Sequence, residues 1–167
     1  RFGAFADNSE LLSRLGFVFQ GGALFDSLSV YDNVAFPLRE SLRMTEAELD
    51  RRVNEVLDRV GMLDNAALLP GALSGGMTRL VAIARALACN PDYVFFDEPT
   101  TGLDPVMRSR IIELVLSLRD REAKTEVAVT HDLGAAEQMA DIIYMLRDSR
   151  IAVLDSARKE HYEAQSA

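Results

Sequence analysis

The stretch that most constrains the fold is Leu73–Pro105, in which a turn, a helix, an apolar strand and an acidic loop follow one another. Ser74 is a good helix N-cap, and Gly75 and Gly76 leave backbone amides unobstructed at the positive end of the helix that follows. Such a helix end attracts anions. We therefore expect this turn to meet a phosphate group.

The next segment delivers two carboxylates to the end of a strand. The run from Tyr93 to Phe96 is continuously apolar, which predicts a strand buried on both faces. Asp97 and Glu98 follow it directly. Because ligands of open parallel sheets gather at the carboxyl ends of the strands, we expect these two side chains to belong to a functional site.

Strands and helices alternate along the rest of the chain, which predicts a mainly parallel α/β layer. The other predicted strands are Leu15–Phe19, Lys124–Thr130, Ile142–Leu146 and Ile151–Leu154, with helices near Val30, after Thr45, at Val106–Arg119 and at Gly134–Ala140. Pro37 is expected to limit or kink the first of these helices.

The helix after Thr45 has the clearest boundaries. Thr45 and Glu48 form a capping box, and Gly61 can close the helix. Its predicted apolar face consists of Leu49, Val53, Leu57 and Val60, and its predicted solvated face of Glu46, Asp50, Arg51, Arg52 and Glu55.

Composition limits the kind of protein. A chain of 167 residues, 49% hydrophobic and 26% charged, suits one globular domain. Its formal charge of −8 argues against a nonspecific nucleic-acid surface, and no apolar run approaches the roughly 20 residues that span a bilayer. The single cysteine, Cys89, cannot form an internal disulfide, which suits the cytosol.

The Ser-Gly-Gly turn, the Asp97-Glu98 pair and Asp104 occur in the order and at the spacing of three motifs of the ATP-binding cassette (ABC) ATPases. They resemble the signature motif, the Walker B motif and the D-loop. Gln20 sits where that family has its Q-loop glutamine, and Thr130-His131-Asp132 resembles its H-loop. The resemblance extends from about Leu15 to Leu154. It implies a P-loop NTPase fold of the ABC type, with a helical subdomain at about 21–73 and a RecA-like core elsewhere.

The resemblance also implies a set of hydrolytic residues. If the resemblance holds, Asp97 would make the outer contact to Mg²⁺, and Glu98 would act as general base for the attacking water. Gln20 would approach both the Mg²⁺ and that water. His131 would contact the terminal phosphate of ATP.

A second set of implied residues acts across a dimer. Ser74, Gly75 and Gly76 would bind the γ-phosphate of the nucleotide held by a second copy. Asp104 would lie at the interface and help to arrange the opposing site. Two cassettes would therefore meet head to tail as a homodimer.

One element of the family is missing from residues 1–167. The phosphate cradle requires G-x-x-x-x-G-K-[ST], and neither Lys124 nor Lys159 follows a glycine. The aromatic adenine-stacking region that precedes the cradle in the family is absent as well. We therefore expect the sequence to be the C-terminal portion of a single cassette, truncated at its N-terminus and inactive alone.

One position and one run of residues bear on the kind of cassette, and two other positions depart from the family pattern. Met77 and the run Gly21–Glu40 resemble the ATPase subunits of Mce-associated lipid transporters. That resemblance implies phospholipid transport, with a membrane permease and an Mce-domain protein as partners, at the cytoplasmic face of the inner membrane. Leu80 replaces a residue that is usually basic, which would weaken activity, and Ser149 stands where a turn glycine is usual.

Three alternatives stay open. The chain could serve an importer or exporter of another substrate, or a non-transport cassette in chromosome maintenance, DNA repair or translation. The repair type inserts long coiled coils, whereas here about fifty residues without sustained heptads separate Gln20 from Leu73. A truncated cassette that hydrolyses nothing is the third.

Overall fold

The computed structural model describes residues 14–41 and 44–154. The chain divides into two compact units, Arg1–His131 and Asp132–Ala167. In the first unit the strands are β1 (Leu15–Val18), β2 (Tyr93–Asp97) and β3 (Thr125–Val129), and the helices are α1 (Val30–Ser41), α2 (Glu46–Arg59), α3 (Gly75–Leu87) and α4 (Pro105–Glu122). No helix within the described ranges is both long and apolar enough to cross a membrane.

The three strands of the first unit form a parallel sheet in the order β1-β2-β3. Val18 lies opposite Phe96, and Phe96 lies opposite Ala128. All three strands therefore end at the same edge of the sheet. The predicted parallel α/β fold is confirmed.

Only one face of β2 is buried, so the prediction of a strand covered on both faces is wrong for the described residues. Val94 and Phe96 are 0% and 2% exposed and share a face of the sheet with Gly16, which lies against α3, whereas Tyr93 is 38% exposed. Phe17 stacks on Phe95 on the opposite face, and Phe17 is 45% exposed.

Helix α3 lies at the centre of the first unit and packs against β1, α1 and α2. This explains why it is apolar on most sides rather than along one stripe. Gly16 of β1 is required here, because a Cβ at that position would lie 2.8 Å from the Ala86 carbonyl oxygen. Close contact between strand and helix thus fixes the carboxyl end of α3 against β1.

Helix α2 begins and ends as its sequence predicts. Thr45 and Glu48 form both hydrogen bonds of the capping box. At the other end Gly61 has a φ of +66°, the Gly61 amide donates to the Asp58 carbonyl, and the Met62 amide donates to the Leu57 carbonyl. The four predicted apolar residues are all buried.

Arg52 differs from its predicted place on the solvated face of α2. It is half-buried, and its guanidinium donates to the Ala88 carbonyl through Nε at 2.9 Å and to the Leu87 carbonyl through Nη2 at 2.9 Å. Carbonyls at a helix C-terminus lack partners within their own helix, and a cation there also interacts favourably with the helix dipole. Arg52 therefore stabilises the carboxyl end of α3.

The second unit contains α5 (Leu133–Met139) and an antiparallel hairpin of β4 (Tyr144–Arg147) and β5 (Arg150–Val153). The strands begin and end one or two residues away from the predicted positions, because the turn fixes their register. That turn is Asp148-Ser149, with φ of +49° and +60°. Both residues thus adopt the left-handed conformation of a two-residue hairpin turn, which explains why glycine is usual at position 149.

Asn33 organises the segment that leads into α1. It is 0% exposed, its Oδ1 accepts the Phe25 amide at 2.8 Å, and its Nδ2 donates to the carbonyls of Phe25, Leu28 and Ser29. These bonds fold the segment over the start of the helix. Pro37 lies inside α1, which continues to Ser41, so the proline does not end the helix.

Replacing Asn33 by alanine is expected to destabilise the fold. The variant leaves the Phe25 amide and the carbonyls that Asn33 binds without their partner, which costs about 2 to 3 kcal/mol of unfolding free energy. Urea denaturation of Asn33→Ala measures this loss, with Asn54→Ala on the exposed side of α2 as the control. An equal loss in both variants would contradict the role of Asn33.

Candidate functional site

The carboxyl edge of the parallel sheet collects the predicted hydrolytic residues. Because Val18, Phe96 and Ala128 are in register, the positions two residues further along reach the same edge. Those positions are Gln20, Glu98 and Thr130. The structure thus brings the ends of three separated sequence segments together.

Four donors hold the Glu98 carboxylate. Oε2 accepts the hydroxyls of Thr101 at 2.6 Å and Thr130 at 3.1 Å. Oε1 accepts the backbone N–H of His131 at 3.1 Å and lies 2.8 Å from its Nδ1. The Glu98 side chain is 15% exposed, whereas that of His131 is 74% exposed. Each carboxylate oxygen therefore has two partners, and the imidazole lies on the solvent side.

These contacts fix the charge of Glu98. Burial raises the pKa of its carboxyl, but the hydrogen bonds from Thr101, His131 and Thr130 outweigh burial and lower the pKa from 4.5 to about 2. Because the folded pKa is depressed, the contribution of Glu98 to stability is present above pH 4.5 and is lost as the pH falls toward 2. At neutral pH Glu98 is a carboxylate.

The Glu98 backbone is strained. Its φ of +48° lies in the left-handed region, which residues other than glycine seldom adopt. The Glu98 amide donates to the Val129 carbonyl at 2.9 Å, which continues the pairing of β2 with β3 past the last strand residue. Strain of this kind persists where surrounding contacts enforce it, and it is concentrated at functional sites.

Asp97 is exposed at the end of β2 and attracts the guanidinium of Arg79. Among residues 14–41 and 44–154, no three His, Cys, Asp or Glu side chains are grouped closely enough to hold a metal ion. Mg²⁺ commonly takes one or two carboxylates and completes its shell with phosphate oxygens and water. A single carboxylate at Asp97 fits that kind of site.

The Ser74–Gly76 turn forms the amino end of α3, as predicted. Ser74 caps the helix by accepting the Met77 amide at 3.2 Å. A Cβ at Gly75 would meet nothing within 4 Å, so no packing within residues 14–41 and 44–154 requires a glycine there. The open surface at Gly75 leaves room for a ligand to reach the backbone amides.

Gly76 and Asp104 are connected through Met107. A Cβ on Gly76 would lie 2.5 Å from Met107 Cγ, so only glycine fits at this position without displacing that side chain. Asp104 caps α4 by accepting the amides of Val106 and Met107, each at 3.0 Å. The structure therefore places the Ser74–Gly76 turn beside the amino end of α4.

Gln20 occupies a tight turn. The Gly22 amide donates to the Phe19 carbonyl at 2.9 Å, and Gly21 has a φ of +77°. This is the geometry of a type II turn, whose third residue requires the positive φ that glycine adopts readily. Gln20 is the second residue of the turn, and it is exposed.

Sequence reasoning missed three residues of this site. Thr130 was noted only as part of the Thr130-His131-Asp132 motif and Thr101 was not singled out, although the hydroxyls of both bind Glu98. Arg79 was not singled out either. It precedes Leu80, where the family usually has a basic residue, and no sequence pattern assigns a role to an arginine at position 79. In the structure Leu80 is 1% exposed and belongs to the core, while Arg79 donates to the Phe19 carbonyl and is attracted electrostatically by Asp97 and Glu98. The effect of Leu80 on activity stays a prediction.

Comparison with known proteins gives a consistent picture. A family model described as ABC transporter matches residues 4–101. The intermembrane phospholipid transport system ATP-binding protein MlaF of Haemophilus influenzae is 42% identical over 142 residues, which cover 85% of this chain and 54% of the relative. The Escherichia coli K12 protein of the same name is 40% identical over 145 residues, covering 87% and 54%.

Two further similarities concern another substrate and the fold. The glutamate transport ATP-binding protein GluA of Corynebacterium efficiens is 39% identical over 145 residues, covering 87% of this chain and 60% of the relative. A dimeric post-hydrolysis structure of the ATP-binding cassette MJ0796 bound to ADP and Pi has a TM-score of 0.78 at 35% identity, covering 91% of this chain and 69% of that one. The chain spans about half the length of the MlaF relatives.

Removing the Thr130 hydroxyl is expected to raise the pKa of Glu98. Thr130→Val keeps the shape of the side chain and deletes one of the four donors, so the pKa should move from about 2 toward 4.5. Thr130→Ser retains a hydroxyl and should keep the low value. Carbon-13 NMR of the Glu98 carboxyl against pH measures both variants, and an unchanged pKa in Thr130→Val would contradict the assignment.

Proposed function

Since this chain belongs to the ABC transporter family, we propose that it forms the hydrolytic part of the ATP-binding subunit of a bacterial transporter. The observation that carries the proposal is the Glu98 carboxylate at the carboxyl end of β2, which is held in its ionised form beside the exposed ring of His131. A carboxylate held in this geometry suits the orientation and polarisation of a water that attacks a phosphate, and the loss of one hydrogen-bond donor, which raises its pKa, would make it a stronger base.

Glu98 is proposed to act as the general base. With both oxygens doubly hydrogen-bonded, it must give up one donor before a water can bind. The hydroxyls of Thr101 and Thr130 can rotate away without moving the backbone, whereas the His131 amide cannot. We therefore assign the water to Oε2, where rotation of either hydroxyl opens an acceptor site.

The neighbouring side chains orient the phosphate end of ATP. His131 shares Oε1 of Glu98 and presents its exposed ring to the terminal phosphate. Asp97 is proposed to contact Mg²⁺ directly or through water, with Gln20 approaching both the ion and the attacking water. When bound, Mg²⁺ neutralises charge on the β- and γ-phosphates.

The second set of residues is proposed to act on the nucleotide of another copy of the chain. Ser74, Gly75 and Gly76 present helix-end amides on a surface that is open at Gly75. Asp104 lies next to this surface, because Met107 contacts Gly76. Two copies that meet head to tail would each complete the site of the other.

Phospholipid is the proposed cargo. Support comes from Met77, from the run Gly21–Glu40 and from the 42% and 40% identity to the two MlaF proteins, which compare with 39% for the glutamate relative. The margin over the glutamate relative is small, so transport of another substrate is the second candidate.

The proposed partners follow from that cargo. A membrane permease would dock on the helical region of about 21–73, and an Mce-domain protein would carry lipid further. The ATPase would then act at the cytoplasmic face of the inner membrane. ATP would close two cassettes, and hydrolysis would reopen them.

ATP hydrolysis is the first test. We expect residues 1–167 alone not to release phosphate from MgATP, because they contain no G-x-x-x-x-G-K-[ST]. The protein produced from its own initiator methionine should hydrolyse ATP, and Glu98→Gln in that protein should lower kcat by about 100-fold or more. Glu113→Gln, an exposed change on α4, is the matched control and should leave kcat unchanged.

Two outcomes would contradict the proposal. Full activity in Glu98→Gln would remove Glu98 from the reaction, and failure of the whole protein to bind or hydrolyse MgATP would favour a regulatory cassette. The cargo is tested in the same assay with the permease in vesicles. Release of phosphate that responds to phospholipid and not to glutamate supports lipid transport, and the reverse response overturns it.

A further inference from the structure

Arg79 is a buried cation in the second turn of α3. It is 5% exposed, and its neighbours Leu80 to Ala84 are all core residues. Burial lowers the pKa of Arg79, while the carboxylates of Asp97 and Glu98 oppose that shift. Arginine nevertheless remains protonated in proteins. A charge kept in the core costs stability unless its interactions compensate, so its contacts identify what it does.

The first contact of Arg79 is with the turn that carries Gln20. Its Nη1 donates to the Phe19 carbonyl at 3.0 Å. The same carbonyl accepts the Gly22 amide that closes the turn. Arg79 therefore binds the oxygen on which the turn geometry depends, one residue before Gln20.

A second arginine on the same helix holds the far side of that turn. Arg85 donates to the Gly22 carbonyl through Nη2 at 2.8 Å and to the Ala23 carbonyl through Nη1 at 2.7 Å. Gly22 is itself buried against α3, since a Cβ there would lie 2.8 Å from Thr78 Cγ2. Three carbonyls of residues 19–23 are thus bound to α3.

The two arginines differ in charge environment. Burial lowers the pKa of Arg85, with no opposing carboxylate among the causes. Arg79, by contrast, is attracted by Asp97 and Glu98 at the end of β2. Of these two arginines, Arg79 is the one on which the acidic pair exerts an electrostatic attraction.

We propose that Arg79 is a positioning residue that fixes the Gln20 turn relative to α3 through its hydrogen bond to the Phe19 carbonyl. The amino end of α3 is the Ser74–Gly76 turn, so α3 joins these two parts of the site. Displacement of α3 by a second copy then reaches the Gln20 turn through a direct side-chain hydrogen bond. The catalytic part of this inference rests on the proposed function, while the mechanical part does not.

The mechanical part is tested on residues 1–167 by hydrogen exchange of the Gly22 amide. Arg79→Met removes the donor to Phe19 and should accelerate exchange at Gly22 by about tenfold or more. Arg79→Lys retains a charged donor and should protect that amide better than methionine. Arg52→Met is the matched control, because Arg52 also donates to backbone carbonyls of the α3 region but lies at the other end of the helix.

Hydrogen exchange at the Gly22 amide can support or overturn the mechanical part of the proposal. Faster exchange at Gly22 in Arg79→Met, with wild-type exchange there in Arg52→Met, supports the proposal. Equal exchange at Gly22 in all variants overturns it, and so does equal acceleration by Arg52→Met, which would mean general loosening of the fold. If Arg79→Met does not fold, Arg79→Gln takes its place with the same expectations.

The catalytic part is tested in the protein produced from its initiator methionine. Arg79→Met should lower kcat by about tenfold with little change in KM for MgATP, because positioning is lost and nucleotide contacts are kept. Arg79→Lys should recover part of kcat. Unchanged kcat in folded Arg79→Met, or no recovery with lysine, overturns this part. If Glu98→Gln is also fully active, the proposed function itself has failed, and the exchange result still decides the mechanical part.

Discussion

The site depends on the parallel pairing of β1, β2 and β3. Because Val18, Phe96 and Ala128 are in register, three segments far apart in sequence end at one edge of the sheet. A shift of one residue in the β2–β3 pairing would turn Glu98 away from Thr130, and a shift of one residue in the β1–β2 pairing would move Gln20 to the opposite face. The hydrogen bond from the Glu98 amide to the Val129 carbonyl extends the pairing into the site itself.

Hydrogen bonds restrain the residues at the carboxyl edge of the sheet. Four donors and a strained backbone hold Glu98 in one geometry, and Arg79 binds the turn of Gln20 from the adjacent helix. Groups held in this way need little rearrangement, because rotation of one threonine hydroxyl is enough to free an acceptor site on Glu98. Flexibility is left to two hydroxyl rotors, Thr101 and Thr130.

Local patterns in the sequence predicted the features that local physics determines. The cap at Ser74, the capping box at Thr45 and the helix end at Gly61 each involve residues within five positions of one another, and all three occur in the structure. Arg52 and Arg79 were not anticipated, because their partners lie 36 and 60 residues away. The exposed face of β2 was not predicted for a similar reason. An apolar run indicates that a strand is suited to burial, but it does not show which parts of the chain cover each face.

Whether Ser74–Gly76 of one copy completes the Glu98 site of another is the central claim, and mixing two inactive variants tests it directly. Both variants, Glu98→Gln and Ser74→Arg, are made in the protein produced from its initiator methionine. Each variant by itself should fail to hydrolyse ATP. In a mixed dimer one site combines intact Glu98 with an intact Ser74–Gly76 turn from the other copy, so phosphate release should return on mixing. If phosphate release stays absent although mixed dimers form, each site is built within a single copy and the head-to-tail arrangement is wrong.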